Sequence, residues 1–434
     1  MAGSEVIAAQ GRPRLRIGMA VYGDITFDSR VRREAETLVA AGHTVVLACL
    51  PGSVPSNWAP AGVRLLPLLP KASATLPGLV RPIHGGARAR RVRAAARNIG
   101  WLAGYVRNVR AWGALVTAAV GDCDAWHAHD LAAMVAVSAR VAKPTPIIYD
   151  SHELFLDTGG GARLPSPLRS LAARIERAQV RRADTLITVN DELAAILDRR
   201  YHPRRTIVVH NCPPRTVPYG GPDLLRGATG IRPDQPLILY HGLLAPNRGL
   251  DTLAAAMLEP GLENARAVFM GFGGWREHLE HLAADPRFEG RVHVLDAVPA
   301  DQLLAWIASA DVGALALPST DLNLRNATPN KLFECIAAGV PVLVSDLPAI
   351  RRIVDDPSGP LGVYADPTSP PSLARAIRSI LERSPADRTA LSARCHAAAD
   401  RRWNWETESE ALLGIYDRIG NQIRSRQMTA GDGE

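Results

Sequence analysis

The stretch Asn326-Ala-Thr-Pro-Asn-Lys-Leu-Phe-Glu-Cys-Ile-Ala-Ala-Gly-Val-Pro-Val342 reads as a loop, a helix start and then a buried strand. Thr328 carries the hydroxyl that an N-cap uses, and Pro329 sits where a first helical residue tolerates proline. Leu332, Phe333, Ile336 and Ala337 recur at helical spacing as an apolar stripe. Gly339 ends that helix, and Val340 to Val344 has strand character. The helix start would present unpaired N–H groups beside Lys331, which suits a phosphate. Glu334 lies one turn inside, where a carboxylate can hold ribose hydroxyls. The same residues also fit an ordinary helix-to-strand connection with an exposed lysine and glutamate, and from this stretch alone both readings stand.

The flanking sequence repeats the pattern. Leu15 to Val21 reads as a strand that ends in the turn Tyr22-Gly-Asp. Asp28 then caps a helix stopped at Gly42, with Arg30 and Arg33 either facing the cleft or, as the simpler reading, on its solvated face. Further strands are expected at Thr44–Leu50, Ala125–His127, Pro146–Asp150, Thr185–Val189 and Ile207–His210, with helical segments between them. The proline- and glycine-rich run from Pro213 to Pro222 marks a linker. A second alternating series places strands at Leu237–His241, Ala267–Met270, Val292–Leu295, Val312–Leu317 and Val340–Val344. The fold class is therefore α/β, with two Rossmann-like domains facing each other across a cleft. Ligands of such sheets bind at the carboxyl ends of the strands.

A length of 434 residues and a hydrophobic fraction of 47% fit two domains with full cores. Five scattered cysteines lack metal or disulfide spacing and fit a reducing cytoplasm. Met1 to Gly11 has no basic start before a long apolar core, so no signal peptide is expected, and no apolar run is long enough to span a bilayer. Ser425 to Glu434 reads as a loose polar tail. Charge is uneven: 29 basic and 16 acidic residues lie at or before Arg215, leaving 21 basic and 27 acidic after it. No acidic residue falls between Thr37 and Gly121. There Arg88, Arg90, Arg91, Arg93, Arg97, Arg107 and Arg110 alternate with Trp101, Leu102, Tyr105, Val106 and Trp112. Such a helix either contacts an anionic membrane surface or acceptor, or is a solvated face of an arginine-rich chain. No nucleic-acid module is apparent. Only three lysines occur, Lys71, Lys143 and Lys331, which singles out the last.

The segment from Pro329 to Val342, with Glu334 followed by Gly339-Val-Pro-Val, resembles the donor-binding segment of retaining glycosyltransferases of the GT-B fold, family 4. The likeness extends from about Arg14 to about Arg424. Tyr240-His-Gly-Leu-Leu-Ala-Pro-Asn-Arg-Gly-Leu-Asp resembles a second family segment, with Gly242 at its glycine and Arg248 at the lysine that contacts the diphosphate. Met270-Gly-Phe-Gly-Gly matches a glycine-rich strand end through Gly271. Trp126-His-Ala-His-Asp matches the family at His129, with Asp130 next, whereas His127 reads as a packed strand residue. Tyr149-Asp-Ser-His-Glu resembles an Asp-x-His-Glu segment, where Asp150 and His152 also suit bracing of the loop. Two residues depart from the pattern. Asn326 replaces the glutamate that contacts sugar hydroxyls, and Leu243 replaces an arginine.

The resemblance implies an acceptor-binding domain over residues 14–212, a linker over 213–236, a nucleotide-sugar-binding domain over 237–404, and a helix at 405–424 crossing back to the first. It implies sugar transfer from a GDP- or UDP-sugar with retention and without a metal or other cofactor. His129, Arg248 and Lys331 would be catalytic. The donor would meet Gly23, Gly242, Arg248, Gly271, Asn326, Thr328, Pro329, Asn330, Lys331, Leu332 and Glu334. The acceptor, a lipid or polysaccharide intermediate or a small secondary metabolite, would meet Asp24, Asp130, His152 and Glu153. The expected location is the cytoplasm, with peripheral anionic membrane contact through Arg88–Arg110 at the inner face. The rival reading is a catalytically degenerate nucleotide-sugar-binding partner subunit, which Leu243 and Asn326 favour. An epimerase or phosphorylase of the same fold matches the segment around Lys331 less well.

Overall fold

Short runs rich in Val, Ile, Leu and Ala become strands buried on both faces, the signature of parallel sheets covered by helices. The computed structural model describes residues 13–26, 28–52, 62–70 and 87–431, with side chains described in all but 87–103, 159–160 and 430–431. Two compact units emerge. The first comprises residues up to Val189, Leu193–Val209 and Ser409–Glu434, and the second Asn190–Glu192 and His210–Glu408.

The first unit holds β1 (Arg16–Val21), β2 (Thr44–Cys49), β3 (Val63–Pro67), β4 (Ala125–His129), β5 (Ile147–Ser151), β6 (Thr185–Thr188) and β7 (Thr206–Val208). They form one parallel sheet in the order β3-β2-β1-β4-β5-β6-β7. The order reverses between β1 and β4, so the connections leave to opposite sides there and open a crevice at the carboxyl ends. The second unit holds β8 (Leu237–Leu243), β9 (Arg266–Phe272), β10 (Val292–Asp296), β11 (Val312–Leu315), β12 (Val342–Val344) and β13 (Gly362–Tyr364). Its order, β10-β9-β8-β11-β12-β13, is again parallel and reverses between β8 and β11. The α/β class and the two Rossmann-like domains expected from the sequence hold. The sequence reading did not include β3 and β13, which are short edge strands. It also stopped β4 two residues early, at His127.

Six helices carry or brace the polar clusters of the two units: α1 (Ser29–Ala40), α2 (Ala87–Val120), α3 (Asp130–Ser138), α4 (Ser166–Arg182), α5 (Asn330–Ala337) and α6 (Trp405–Gly431). Asp28 caps α1 by accepting from the Arg30 and Val31 N–H groups. In α2, the expected basic stripe from Arg88 to Arg97, with Trp101 and Leu102, lies outside the described side chains. Trp112 is not on an exposed stripe: it is fully buried, donates to the Leu68 carbonyl at 3.0 Å and meets the Tyr22 ring edge-on. α6 continues to Gly431 rather than fraying into a tail at Ser425. It packs Leu412, Tyr416 and Ile419 into the first unit, where Arg418 pairs with Asp184. Among the described residues no helix is long and apolar enough to cross a membrane.

Alternate residues of β8 feed two cores on opposite faces of the second sheet. Ile238 and Tyr240 join one core, and Leu237 and Leu239 the other. α5 lies on the second core through Leu332, Phe333, Cys335, Ile336 and Ala337. Its approach to the sheet depends on Gly313 in β11, where a Cβ would lie 2.5 Å from the Cys335 sulfur. Gly313→Ala is therefore expected to cost about 1–3 kcal/mol by overpacking. The loss reads out as a lower Tm, and adding Cys335→Ala should restore most of it.

Candidate active site

In the second unit the carboxyl ends of β8 and β9 meet at Gly242 and Gly271, which are register partners. Gly242 has φ +100°, and a Cβ on Gly271 would run into the Gly242 carbonyl, so bare backbone faces outward here. A single turn, Pro246–Arg248, then brings Arg248 back beside Tyr240. The Tyr240 ring is covered by the Lys331 ammonium, 3.9 Å from the ring centroid. Lys331 comes from the first turn of α5, whose N-terminus no side chain caps. Arg248 forms no ion pair among the described residues, and its Nε is buried without a hydrogen-bond partner. Burial, and then the neighbouring Arg248 charge, push Lys331 down to about 7, with Glu334 pulling the other way. Glu334 is oriented by a 2.9 Å hydrogen bond from His241 Nε2.

Two cations thus converge on bare strand-end backbone and an uncapped helix N-terminus. That arrangement fits the phosphates of a nucleoside diphosphate.

In the first unit His129 closes β4, and Asp130 follows with φ 61°, a left-handed conformation that costs a residue with a Cβ about 1–3 kcal/mol. Asp130 Oδ1 accepts from the His152 N–H at 3.2 Å. Beneath them Asp150 is fully buried and gripped by Arg30 through Nε (2.7 Å) and Nη2 (2.9 Å). Arg30 also donates to the Val209 carbonyl at 2.6 Å. His129 Nδ1 lies 3.2 Å and His152 Nε2 3.0 Å from Asp150 Oδ2. Glu34, one turn beyond Arg30, lies 3.1 Å from the same guanidinium. His127 stacks on His129 and pairs with the Tyr416 hydroxyl at 2.8 Å.

Burial, and then His127, hold His129 neutral, down to about 3. Burial also lowers His152, but Asp130 and Asp150 outweigh it, and the ring rises to about 10. Burial raises Glu34 to about 7 in spite of Arg30. Asp150 is buried too, yet Arg30 and His152 keep it well below the usual carboxylate range.

Glu34, His127, His129 and Asp150 place ligand-type atoms within 4.8 Å of one another. Their arrangement fits a metal poorly. Arg30 already supplies the positive charge, and the His127 and His129 rings, inclined by only 11°, cannot both hold one ion in their planes. The cluster is a buried ionic frame that fixes the residues above it.

Comparison with known proteins bears on both units. The model of the group 1 glycosyl transferases matches residues 235–383, and that of the glycosyl transferase 4-like domain matches 28–212. The chain belongs to this glycosyltransferase family. A D-inositol 3-phosphate glycosyltransferase of Xylanimonas cellulosilytica is 32% identical over 197 residues, 44% of each chain. That of Mycolicibacterium smegmatis is 27% identical over 324 residues, 70% of each chain. For the first three curated relatives the matched segment spans less than half of their length. Anabaena HepE, solved in complex with UDP-glucose, superposes with a TM-score of 0.64 at 16% identity over 95% of this chain and all of that one. The shared architecture is the GT-B fold.

Several family-based expectations are relocated by the structure. Thr328 does not cap α5: the extended residue before the helix is Pro329, and the Thr328 hydroxyl accepts from the Asn190 side chain at 3.1 Å. The Leu332 side chain is fully buried in the core and its N–H donates to the Pro329 carbonyl, so it offers nothing to a ligand. Asn326 donates its amide to the Leu322 carbonyl at 2.8 Å. Arg30 is not on a solvated face but 2% exposed. His129, expected to reach a ligand, is 1% exposed. The polar groups that do reach the surface there are Asp130, His152 and Glu153. Gly23 and Asp24 lie at the carboxyl end of β1, where Asp24 accepts from the Thr26 N–H and hydroxyl.

The sequence reading gave no role to Tyr240, His241 and Glu34, and took Arg30 only as a cleft-facing or solvated charge. Glu34 was within reach of pattern analysis, because it occupies the buried stripe Val31, Glu34, Ala35, Leu38 of α1, where a carboxylate demands a partner.

Replacing Arg30 by leucine strands Asp150 and Glu34 without their counter-charge. A loss of about 3–5 kcal/mol is expected, measured by urea unfolding. The pH dependence has a definite sign. The folded state holds the Glu34 proton above its ordinary 4.5, so the contribution of this group to stability falls as pH rises from there through about 7. Relative to the unsubstituted chain, Glu34→Gln should gain urea midpoint as pH rises across that window.

Proposed function

We propose that the chain transfers a sugar from a nucleotide-diphosphate donor to an acceptor nucleophile, with retention at the anomeric carbon and without a metal. The carrying observation is the convergence of Arg248 and Lys331 beside the uncapped start of α5. As the bond from the anomeric carbon to the β-phosphate oxygen breaks, negative charge grows on that oxygen. Arg248, Lys331 and the N–H groups near Asn330 stabilise it electrostatically, which is what a divalent ion does in other sites. The acceptor oxygen attacks the same face of the sugar, and its proton passes to the departing phosphate oxygen.

Gly242 and Gly271 let the diphosphate approach backbone. Glu334, aligned by His241, accepts from the ribose hydroxyls. Thr328 and Asn326, held in the loop before α5, line the sugar side of the site. In the first unit Asp24, Gly23, Asp130, His152 and Glu153 are the acceptor-binding groups, with His129 and Asp150 fixing His152 from below.

Support for the donor class comes from family membership and from the UDP-glucose bound by Anabaena HepE. The acceptor falls in one of two classes, a lipid or polysaccharide intermediate or a small polyol such as the inositol phosphate named for the curated relatives. A second reading, a nucleotide-sugar-binding subunit without turnover, is favoured by Leu243. Its exposed side chain stands where relatives carry an arginine, and lies in register with the exposed Phe272.

Thermal unfolding with GDP, UDP, ADP and dTDP tests the donor site that both readings share, and turnover of the matching nucleotide sugar separates them. A nucleotide at about 100 times its Kd adds roughly 2.7 kcal/mol. Selective stabilisation by one base is expected, and no shift with any base or intact donor counts against a donor site. In turnover, Arg248→Ala should raise the barrier by about 3 kcal/mol, as loss of an oxyanion donor does; an unchanged rate removes Arg248 from the mechanism. Because Lys331 titrates at about 7, diphosphate binding above that pH should draw in a proton. Calorimetry in buffers of different ionisation enthalpy measures this uptake, and Lys331→Arg should reduce it to what the nucleotide itself contributes.

A further inference from the structure

The amino ends of the first sheet carry a second concentration of positive charge. Lys143 precedes β5, Arg181 and Arg182 end α4 just before β6, Arg204 precedes β7, and Arg426 comes from α6. With Pro144 and Ala178 these five cations line one pocket of about 430 Å³. They belong to the edge of the sheet opposite His129 and Asp150, which sit at carboxyl ends. Arg182 is fixed by donating to the Val141 and Thr145 carbonyls at 3.3 and 3.2 Å. Among the described residues no carboxylate pairs with any of the five. The one acid on the adjoining wall, Asp184, is already taken by Arg418. Burial and the nearby Arg204 both disfavour the charge on Arg182.

Arg30 and Arg401, by contrast, have acids at hand in Asp150 and Asp356. Five like charges around one concavity without an internal counter-ion are unfavourable unless an external anion supplies it.

We propose that this pocket binds a phosphate-bearing anion, held by Arg181, Arg182, Arg204, Lys143 and Arg426. Fork-shaped guanidinium groups match phosphate oxygens two at a time, which favours phosphate over a carboxylate. The anion is either free or carried on a lipid headgroup. Two exposed apolar residues of α4, Leu171 and Ile175, continue the helix stripe through Ala178 to Arg182 and would rest on the apolar margin of a bilayer.

The test uses the full chain carrying Arg248→Ala and Lys331→Ala, so that the cation pair of the second unit cannot contribute. Inorganic pyrophosphate is titrated by calorimetry into this variant and into one that also carries Arg181→Glu and Arg204→Glu, both surface positions. Sedimentation with phosphatidylcholine vesicles, with and without phosphatidic acid, is measured on the same pair. Salt-sensitive pyrophosphate binding that weakens roughly tenfold or more in the charge-reversed variant assigns the pocket to a soluble anion. Sedimentation that requires both phosphatidic acid and the two arginines assigns it to a lipid headgroup. Binding of neither probe, or equal binding by both variants, overturns the proposal. The outcome is independent of whether the second unit binds a donor.

Discussion

Two cations held side by side, Arg248 and Lys331, are the constraint on which the second unit is organised. Burial and then the Arg248 charge disfavour the charge on Lys331, and Glu334 and Cys335 pull the other way. The fold keeps the two cations together because neither has freedom to leave. Arg248 is delivered by the tight turn after β8, and Lys331 by a helix whose next residues, Leu332 and Phe333, are sealed in the core. The reversal of strand order between β8 and β11 sends these two connections to opposite sides, so their starting points flank one crevice. Apolar burial on the far side of α5 thus offsets an electrostatic arrangement that is unfavourable on the near side, as preorganised sites require.

The first unit solves the converse problem. There the groups without solvent are Asp150 and Glu34, and a single buried guanidinium neutralises the first while leaving the second largely protonated below neutrality. The consequence reaches the surface through His152. Its ring is held between Asp150 below and Asp130 beside it, and so keeps its proton far above the usual histidine range. His129 is neutral and buried, so its part is to fix this geometry. The strained backbone at Asp130 is tolerable because the His152 N–H anchors the carboxylate.

Where the sequence was legible, the reason is local. Leu332, Phe333, Ile336 and Ala337 declare a helix face, and Gly339 its end; runs such as Ile147-Ile-Tyr declare a doubly buried strand. Lys331 and Glu334 stand out because they interrupt an apolar pattern at a helix start. What stayed hidden depends on partners far along the chain. The register that sets Gly242 against Gly271 joins two segments nearly thirty residues apart and was invisible to motif reading. Arg30 looked like one more surface arginine of an arginine-rich chain, because the acid that buries it, Asp150, is 120 positions away. The capping role assigned to Thr328 failed because the helix starts one residue later, after Pro329, and Asn190, remote in sequence, holds the Thr328 hydroxyl.

The arginine excess itself becomes interpretable once side chains are placed. Arg30, Arg226, Arg401 and Arg418 are consumed by acids within the chain and contribute architecture rather than field. Exposed arginines such as Arg107, Arg110, Arg140, Arg163 and Arg174 have no carboxylate partner among the described residues. Two groups differ from these in converging on one place: Arg248 with Lys331, and the five cations at the amino ends of β5, β6 and β7. A chain selected only for a high isoelectric point would have no reason to bring unpaired cations together in one concavity, where they repel one another. Concave clustering is what anion recognition requires. It is placement in a concavity, rather than the arginine excess itself, that singles out the two cation sites.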